Sequence, residues 1–358
     1  MGLLYKENFE ETAKYWDAFW LCETINRPLL CITAPKKGFE SGSSHGVSYR
    51  QIVEATTQQD FANIMKDFDD FAQSHSFLGE AVPFFKLDYG PDMFASFLGS
   101  RLFCLGDVNT TWVEPSVTDW RDFECTMGNT TEFTTYFELL KYACNHSRGK
   151  YMISMPDIHG GMDALSALRS PQNLCYDLYD HPNEVADALM RIRREYLPFL
   201  NAIFEAGCLT SDGSIGWSPC FSRSRSAVVQ CDFAALVGPE FGKKYVIPTL
   251  EEEVSYLDNT IYHYDGKEAL IHLDDILAID GINAIQWVPG DGQPRTLYWM
   301  DLLHKIQAAG KGLWIYDWTP EEIKQHFKEL SSEGLVFSVH VNSEDEGYEL
   351  IDFVQKNM

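Results

Sequence analysis

The sequence alternates short, continuously apolar segments with longer stretches in which apolar residues recur at helical spacing. The short segments are unbroken rather than alternating in polarity, which is typical of parallel strands that are covered on both faces. Eight of them occur, at residues 28–33, 84–88, 151–155, 209–213, 260–264, 284–288, 312–316 and 335–340. Eight such strands with helices between them predict an α/β fold and, more narrowly, a closed (β/α)8 TIM barrel rather than an open sheet.

The helices between these segments have recognisable ends. After Pro182, apolar residues recur every three or four positions until Gly207, so we expect a long helix there. The sequence Thr319-Pro-Glu-Glu is a typical helix start and predicts a second helix.

The N-terminal part of the chain is less regular. It predicts helical segments at 8–23 and 49–77 and a loop at 38–46. We expect a single domain in which residues 1–80 form a helical extension that packs on a barrel formed by residues 81–358.

The charge of the chain limits its partners. Its 28 Lys and Arg residues face 53 Asp and Glu residues, which gives a net charge of −25. This charge argues against nucleic acids and anionic membranes, since both require positive surface. The sequence lacks an apolar run of membrane-spanning length and a secretory signal pattern, so we expect a cytoplasmic protein with reduced cysteines. An anionic substrate would need a local group of Arg or Lys.

Polar and aromatic side chains gather where the predicted strands end. In TIM barrels the loops at the carboxyl ends of the strands form the active site. We therefore expect these residues to contact substrate, with Asp88 in a catalytic role and the others as binding residues: Asp88, Tyr89, Asp157, His159, Trp217, Gln286 and Trp287. Arg169 is a candidate clamp for a carboxylate or phosphate, although Asp163 and Asp177 are alternative partners for it.

The pair His263-x-Asp265 is the most specific candidate. Residues i and i+2 of a strand project to the same side, so both side chains can reach one metal ion or one substrate group. Imidazole nitrogen and carboxylate oxygen are ligands for Zn²⁺, and a third ligand from another strand would leave one position open. We predict His340 as that third ligand, with all three residues catalytic. The alternative is that His263 and Asp265 bond only to the reactant or to each other.

Residues 261–290, which read Ile-Tyr-His-Tyr-Asp-Gly at their start and Gln-Trp-Val-Pro-Gly at their end, resemble the C-terminal signature of uroporphyrinogen-decarboxylase-like proteins. The resemblance covers roughly residues 80–358. This superfamily of barrels includes porphyrinogen decarboxylases and zinc-dependent methyltransferases that take methyl groups from corrinoid proteins. The resemblance implies that Asp88 matches the acid that contacts pyrrole N–H groups in the decarboxylases. It also implies that His263 and His340 match zinc-ligand positions of the methyltransferases.

Two departures from the family pattern bear on function. The arginine-rich N-terminal signature of the decarboxylases is absent, which argues against a substrate with many carboxylates. Asp265 stands where the zinc methyltransferases carry a cysteine, which changes the affinity and Lewis acidity of any bound metal.

Three functions follow from this sequence. The leading one is a methyltransferase that moves a methyl group between a small methylated compound or thiol and a corrinoid carried by a partner protein, assisted by Zn²⁺. The alternatives are a decarboxylase or lyase acting on a small carboxylic acid, with Asp88 and His340 handling protons, and a protein that binds a tetrapyrrole or corrinoid without catalysis. A corrinoid protein would need an exposed apolar rim at the mouth of the barrel. A homodimer is the default assembly.

Overall fold

The structure of the protein is a computed structural model that describes residues 2–39, 47–104 and 110–358. Its strands are β1 Leu29–Pro35, β2 His75–Gly79, β3 Phe84–Phe85, β4 Leu102–Cys104, β5 Thr111–Val113, β6 Met152–Ile153, β7 Ser214–Ile215, β8 Phe221–Ser222, β9 Ser226–Gln230, β10 Asn259–Asp265, β11 Ala284–Val288, β12 Gly312–Ile315 and β13 Leu335–His340. Its α-helices are α1 Phe9–Trp20, α2 Tyr49–Gln58, α3 Phe61–Ser74, α4 Met93–Phe97, α5 Thr131–Ser147, α6 Gly161–Arg169, α7 Pro171–Asp180, α8 Pro182–Ile203, α9 Pro239–Phe241, α10 Ile247–Val254, α11 Leu273–Leu277, α12 Met300–Ala308, α13 Pro320–His326 and α14 Glu344–Lys356. Most of the loop predicted at 38–46 lies outside the described residues.

Seven strands form the main sheet, in the order β2-β1-β13-β12-β11-β10-β9. All neighbours are parallel except β1 and β2, which are antiparallel. Strands β3 and β6 pair in parallel, and Met155 N–H donates to Ile215 O beside β7 at 2.8 Å. The prediction of an α/β fold with a mostly parallel sheet is confirmed. The pairings of the described residues do not confirm the closed barrel, which stays a prediction.

Alternation along the strands separates two faces of the sheet. One face, called the inner face here, carries a small apolar cluster that includes Val228, Ile261, Ala284, Trp314 and Val336. The other face packs against the surrounding helices and forms the large core. Because side chains alternate, His263 and Asp265 lie on the inner face with Ile261, toward the carboxyl end of β10.

Helix α1 packs against the inner-face cluster through Trp16 and Phe19. The indole N–H of Trp16 donates to Glu80 O at 2.9 Å, and that of Trp20 donates to Phe221 O at 2.8 Å. The N-terminal segment of residues 1–80 also contributes β1 and β2 to the main sheet. This segment is therefore joined to the rest of the chain by backbone pairing as well as by packing.

The predicted helix starts agree with the structure. Thr319 and Glu322 form a reciprocal capping box at the start of α13, and Pro182 is the first residue of α8. A π-helical turn, Phe204–Cys208, continues α8 and contains Gly207 at φ 129°. In the part of the chain that the structure describes, no helix is both long and apolar enough to cross a membrane.

One predicted strand is wrong. Residues 209–213 form a turn, in which the N–H of Thr210 and the N–H of Gly213 each donate to the other's carbonyl oxygen. Gly213 has a φ of 125°, outside the range of a strand, and the strand begins only at Ser214. Strand β9 was not among the eight predicted segments, although Ser226-Ala-Val-Val-Gln230 is fully buried and pairs with β10.

Candidate active site

Three potential metal ligands converge at the carboxyl ends of β9 and β10. Asp232 follows β9 directly, and His263 and Asp265 lie on β10. One ligand atom from each residue lies within 4.8 Å of those of the other two, the spacing expected around a single ion. The Oδ1 atom of Asp232 is buried and has no hydrogen-bond partner among the described residues. A buried carboxylate oxygen without a partner is costly, and a bound cation would satisfy it.

The ring of His263 is held in one orientation. Its Nδ1 lies 2.6 Å from Oε1 of Gln286, which is its register partner on β11. An amide oxygen only accepts, so Nδ1 carries the proton and the lone pair of the neutral ring is on Nε2. Trp217 packs edge-on against the same ring, with ring centroids 5.3 Å apart. This arrangement is typical of a metal-binding histidine, whose second nitrogen bonds to a neighbouring acceptor.

A partly buried lysine, Lys86, lies between two of the predicted acids. The Nζ atom of Lys86 is 3.8 Å from Oδ2 of Asp88 and 3.8 Å from Oδ2 of Asp157, and it donates to the Tyr49 hydroxyl at 2.6 Å. It also lies 5.0 Å from the ring centroid of Trp217. Lys86 thus occupies a position that is bounded by carboxylates and aromatic rings.

Asp88 is fully buried and accepts hydrogen bonds from the N–H of Gly90 at 3.0 Å and of Asp157 at 3.1 Å. Burial raises the pKa of Asp88, and Lys86 opposes that increase. Burial acts in the same direction on Asp157, but Lys86 and His159 outweigh it and lower the pKa of that acid. Asp157 also accepts from Gln230 Nε2 at 2.5 Å. Asp88 therefore holds the backbone through two hydrogen bonds, whereas Asp157 is kept ionised by Lys86 and His159.

His159 lies among carboxylates. Its Nε2 is 3.7 Å from Asp157 and 3.9 Å from Asp232, and its Nδ1 is 3.9 Å from Asp163. Burial alone would lower its pKa, but Asp232, Asp163, Asp157 and Asp92 together raise the pKa of His159 to about 9. These carboxylates favour the protonated ring, in which both nitrogens are hydrogen-bond donors.

The sequence predicts Asp163 only as an alternative partner of Arg169. Its two oxygens accept the backbone N–H groups of Asp232 and Phe233 at 3.0 and 2.7 Å. These bonds fix the turn that positions Asp232. Burial and the Asp232 charge raise the pKa of Asp163 to about 6. The contact joins distant parts of the chain, so no local pattern indicates it.

We call the group at this end of the sheet the acidic site. It comprises Lys86, Asp88, Asp92, Asp157, His159, Asp163, Asp232, His263 and Asp265, joined by the contacts above and by the electrostatic coupling of Asp92 to His159. Trp217 and Gln286 touch it through His263. Seven of the predicted site residues are therefore brought together: Asp88, Asp157, His159, Trp217, His263, Asp265 and Gln286.

Four other predicted site residues lie apart from these contacts. Tyr89 is 2% exposed and packs against core aromatic rings, and Trp287 is 2% exposed on the side of β11 opposite Gln286. Arg169 binds Asp177 at 2.7 Å, the alternative that the sequence had left open. His340 is exposed at the end of β13 and is not a member of the metal-ligand group found among the described residues. Asp232 is the third member of that group, and the role predicted for His340 stays a prediction.

Several large apolar side chains lie exposed in the segments that follow the strands. One such side chain lies in each of the segments that follow β9, β10, β11 and β12: Leu236, Ile271, Tyr298 and Tyr316. They lie at the same end of the sheet as the acidic site, because parallel strands share their carboxyl ends. We call these four side chains the apolar rim; a continuous patch formed by them would be a feature of surfaces that bind another protein.

The fold has likenesses among solved structures. A methyltransferase from Methanosarcina mazei superposes with a TM-score of 0.60 at 11% sequence identity, over 97% of this chain and 98% of that one. A B12-independent methionine synthase from Shewanella sp. W3-18-1 gives a TM-score of 0.49 at 11% identity, over 92% and 97% of the two chains. No protein-family model and no curated protein matches the sequence. At this identity the first likeness establishes a shared fold.

Proposed function

We propose that this protein is a methyltransferase that moves a methyl group between a small methylated compound and a corrinoid carried by a partner protein. In this proposal Asp232, His263 and Asp265 hold a divalent metal ion, and Zn²⁺ is the first candidate for that ion. The observation that carries the proposal is the convergence of these three ligands at the carboxyl ends of parallel strands. The shared fold with a methyltransferase supports it.

The residues present fit a divalent cation. Two carboxylates and one imidazole are a donor set that binds Zn²⁺. A bound ion would also satisfy the buried Oδ1 of Asp232, which has no hydrogen-bond partner among the described residues. When bound there, the ion would act as a Lewis acid or lower the pKa of a coordinated group. Gln286 holds the imidazole of His263 in the tautomer that presents Nε2, and Asp163 holds the turn that carries Asp232.

The remaining residues would bind and orient the methylated molecule. Protonated His159 can donate a hydrogen bond or a proton to a leaving group, and Asp157 accepts from bound donors. Trp217 would form a wall against the molecule, since it already contacts His263 and Lys86. Transfer moves the methyl carbon without its bonding electrons: the donor keeps the pair, and cobalt(I) of the corrinoid supplies the pair for the new bond. The exposed apolar rim supports a partner protein that approaches this end of the sheet.

The other two functions find less support in the same contacts. A decarboxylase would have to bind a further carboxylate among the aspartates of the acidic site, while Arg169 is bonded to Asp177. Binding of a tetrapyrrole or corrinoid without turnover gives no role to the three converging ligands. Both remain outcomes of the experiment below.

The test has two readouts on the purified full chain. The first is metal content by elemental analysis, followed by titration of the metal-free protein with Zn²⁺. The second is absorbance at the wavelengths of cob(I)alamin and methylcob(III)alamin in the presence of candidate methyl donors. We expect one Zn²⁺ per chain and corrinoid methylation, both lost in Asp232→Asn and both kept in the exposed control Glu251→Gln. The proposal would be refuted if the protein showed no Zn²⁺ binding and no corrinoid conversion in either direction. Carbon dioxide release from a carboxylic acid, or tight corrinoid binding without turnover, would replace it.

A further inference from the structure

The acidic site carries a large excess of negative charge. Its six aspartates, Asp88, Asp92, Asp157, Asp163, Asp232 and Asp265, are accompanied by two groups that can be positive, Lys86 and His159. A divalent ion at Asp232, His263 and Asp265 would still leave fewer positive than negative groups. The field in this partly buried site therefore favours a cationic ligand over an anionic one.

Three arginines that could bind an anionic ligand are engaged elsewhere. Arg169 binds Asp177, and Arg223 binds Asp17 at 3.0 Å and Glu10 at 3.3 Å, beside helix α1. Arg225 donates to the side chain of Asn201 at 3.1 Å. Each of the three guanidinium groups is thus already bonded to groups outside the acidic site.

The site already holds one ammonium group in the manner of a cation-binding site. The Nζ atom of Lys86 lies 5.0 Å from the ring centroids of both Tyr49 and Trp217 and 3.8 Å from two carboxylates. Aromatic faces and carboxylates around a positive nitrogen are the features by which proteins recognise ammonium ligands. Trp217 itself is only partly buried.

A buried hydroxyl just after β6 has no hydrogen-bond partner among the described residues. Ser154 is fully buried, and its Oγ atom makes no hydrogen bond among the described residues. It follows β6 two residues after Met152, whose side chain belongs to the inner-face cluster, so alternation directs the Ser154 side chain to the inner face as well. This hydroxyl is independent of the carboxylates and is left for a ligand or a water molecule to satisfy.

We propose that the methyl donor is a cation: a quaternary ammonium compound or a methylated amine in its protonated form. This inference rests on the function proposed above and specifies its substrate class. For a quaternary donor, the carbon–nitrogen bond breaks with its electron pair staying on nitrogen, which leaves as a neutral tertiary amine without needing a proton. The methyl carbon bonds to the corrinoid cobalt, which passes from cobalt(I) to cobalt(III) as it supplies the electron pair.

The experiment compares three probes of nearly equal shape on the zinc-loaded wild-type protein by calorimetric titration. They are choline, its uncharged isostere 3,3-dimethylbutan-1-ol, and the anion 3,3-dimethylbutanoate. We expect choline to bind at least about tenfold more tightly than the uncharged probe, the size of a partly desolvated cation–aromatic contact. The anion should bind most weakly, and added salt should weaken the binding of choline.

Two variants locate the binding. Asp157 is not among the proposed metal ligands, so Asp157→Asn should weaken choline about tenfold while Zn²⁺ still binds, and Trp217→Leu should weaken it as well. The exposed substitution Glu251→Gln is the control. Equal binding of the charged and uncharged probes, tighter binding of the anion, or no binding of choline would overturn the inference. Choline binding without corrinoid methylation would instead refute the proposed function alone. Methylation from an uncharged donor without choline binding would refute the substrate class alone.

Discussion

Replacing Glu253 by Gln should change how stability depends on pH. Glu253 lies on α10, is 5% exposed, and burial together with the Asp163 charge raises its pKa from 4.5 to about 8. In the unfolded chain this carboxyl loses its proton near its usual pKa, whereas the folded protein keeps the proton up to about pH 8. Folding therefore becomes less favourable as the pH rises through this window, and the loss is complete above it.

The size of the effect follows from the same two values. At 1.36 kcal/mol per pKa unit, the interval from 4.5 to about 8 corresponds to about 5 kcal/mol. The whole stability of a folded domain is typically 5–15 kcal/mol, so this one carboxyl accounts for a large change in it. The Gln side chain has nearly the same shape and does not titrate in this range.

The prediction is tested by measuring the free energy of unfolding in urea, followed by tryptophan fluorescence, at several pH values between 5 and 9. The stability of Glu253→Gln relative to wild type should increase steadily with pH and level off above about pH 8. Glu251→Gln, on the exposed side of the same helix, controls for a general charge effect and should follow the wild-type curve. If the curves of Glu253→Gln and wild type stay parallel over this range, the argument that burial keeps this carboxyl protonated is refuted.

Three further predictions concern the ligands and the fold. Asp265→Cys should tighten Zn²⁺ binding in a competition with a chromogenic chelator, because a thiolate is a better zinc ligand than a carboxylate; unchanged affinity would argue against this residue as a ligand. Glu80→Ala should lower the free energy of unfolding by about 3–5 kcal/mol, since it leaves the buried guanidinium of Arg27 unpaired, and urea unfolding measures it. Gly213→Ala should lower the free energy of unfolding by at least about 1 kcal/mol, because its Cβ would lie 2.1 Å from a carbonyl oxygen and φ is 125°. In the control Gly149→Ala, φ is 75° but the new Cβ meets open space, so the comparison separates the clash from the backbone strain.

The strands that could be predicted are those with continuous apolar sequence and clear ends. Residues 284–288 form a strand over the predicted range because each of them is buried or partly buried between neighbouring strands. Residues 209–213 are equally short and partly apolar, but the turn at Thr210 and Gly213 closes before a strand can start. Hydrophobicity alone does not distinguish these cases, because the outcome depends on the glycine backbone angle.

The site could be predicted where local geometry determines it. His263 and Asp265 lie two positions apart on one strand, so alternation alone places them on the same face. Asp232 joins them because β9 pairs with β10, a long-range pairing of a strand that the apolar segments had not revealed. Asp163 acts on Asp232 through two backbone N–H groups, and contacts of that kind leave no trace in residue spacing.

If Asp265 stands where the zinc methyltransferases that the sequence resembles carry a cysteine, the proposed metal site differs from theirs in character more than in charge. Two carboxylates and a neutral imidazole carry the same formal charge as two thiolates and an imidazole, so a divalent ion is neutralised equally in both. Carboxylate oxygen is a harder donor that gives less electron density to the metal, so the ion keeps more Lewis acidity and binds a soft thiolate less readily. Such an ion suits an oxygen or nitrogen ligand better than a thiol substrate. The ligand set thus argues against a thiol substrate, and the excess of carboxylates around Lys86 and His159 separately favours a cationic methyl donor through the sign of the field.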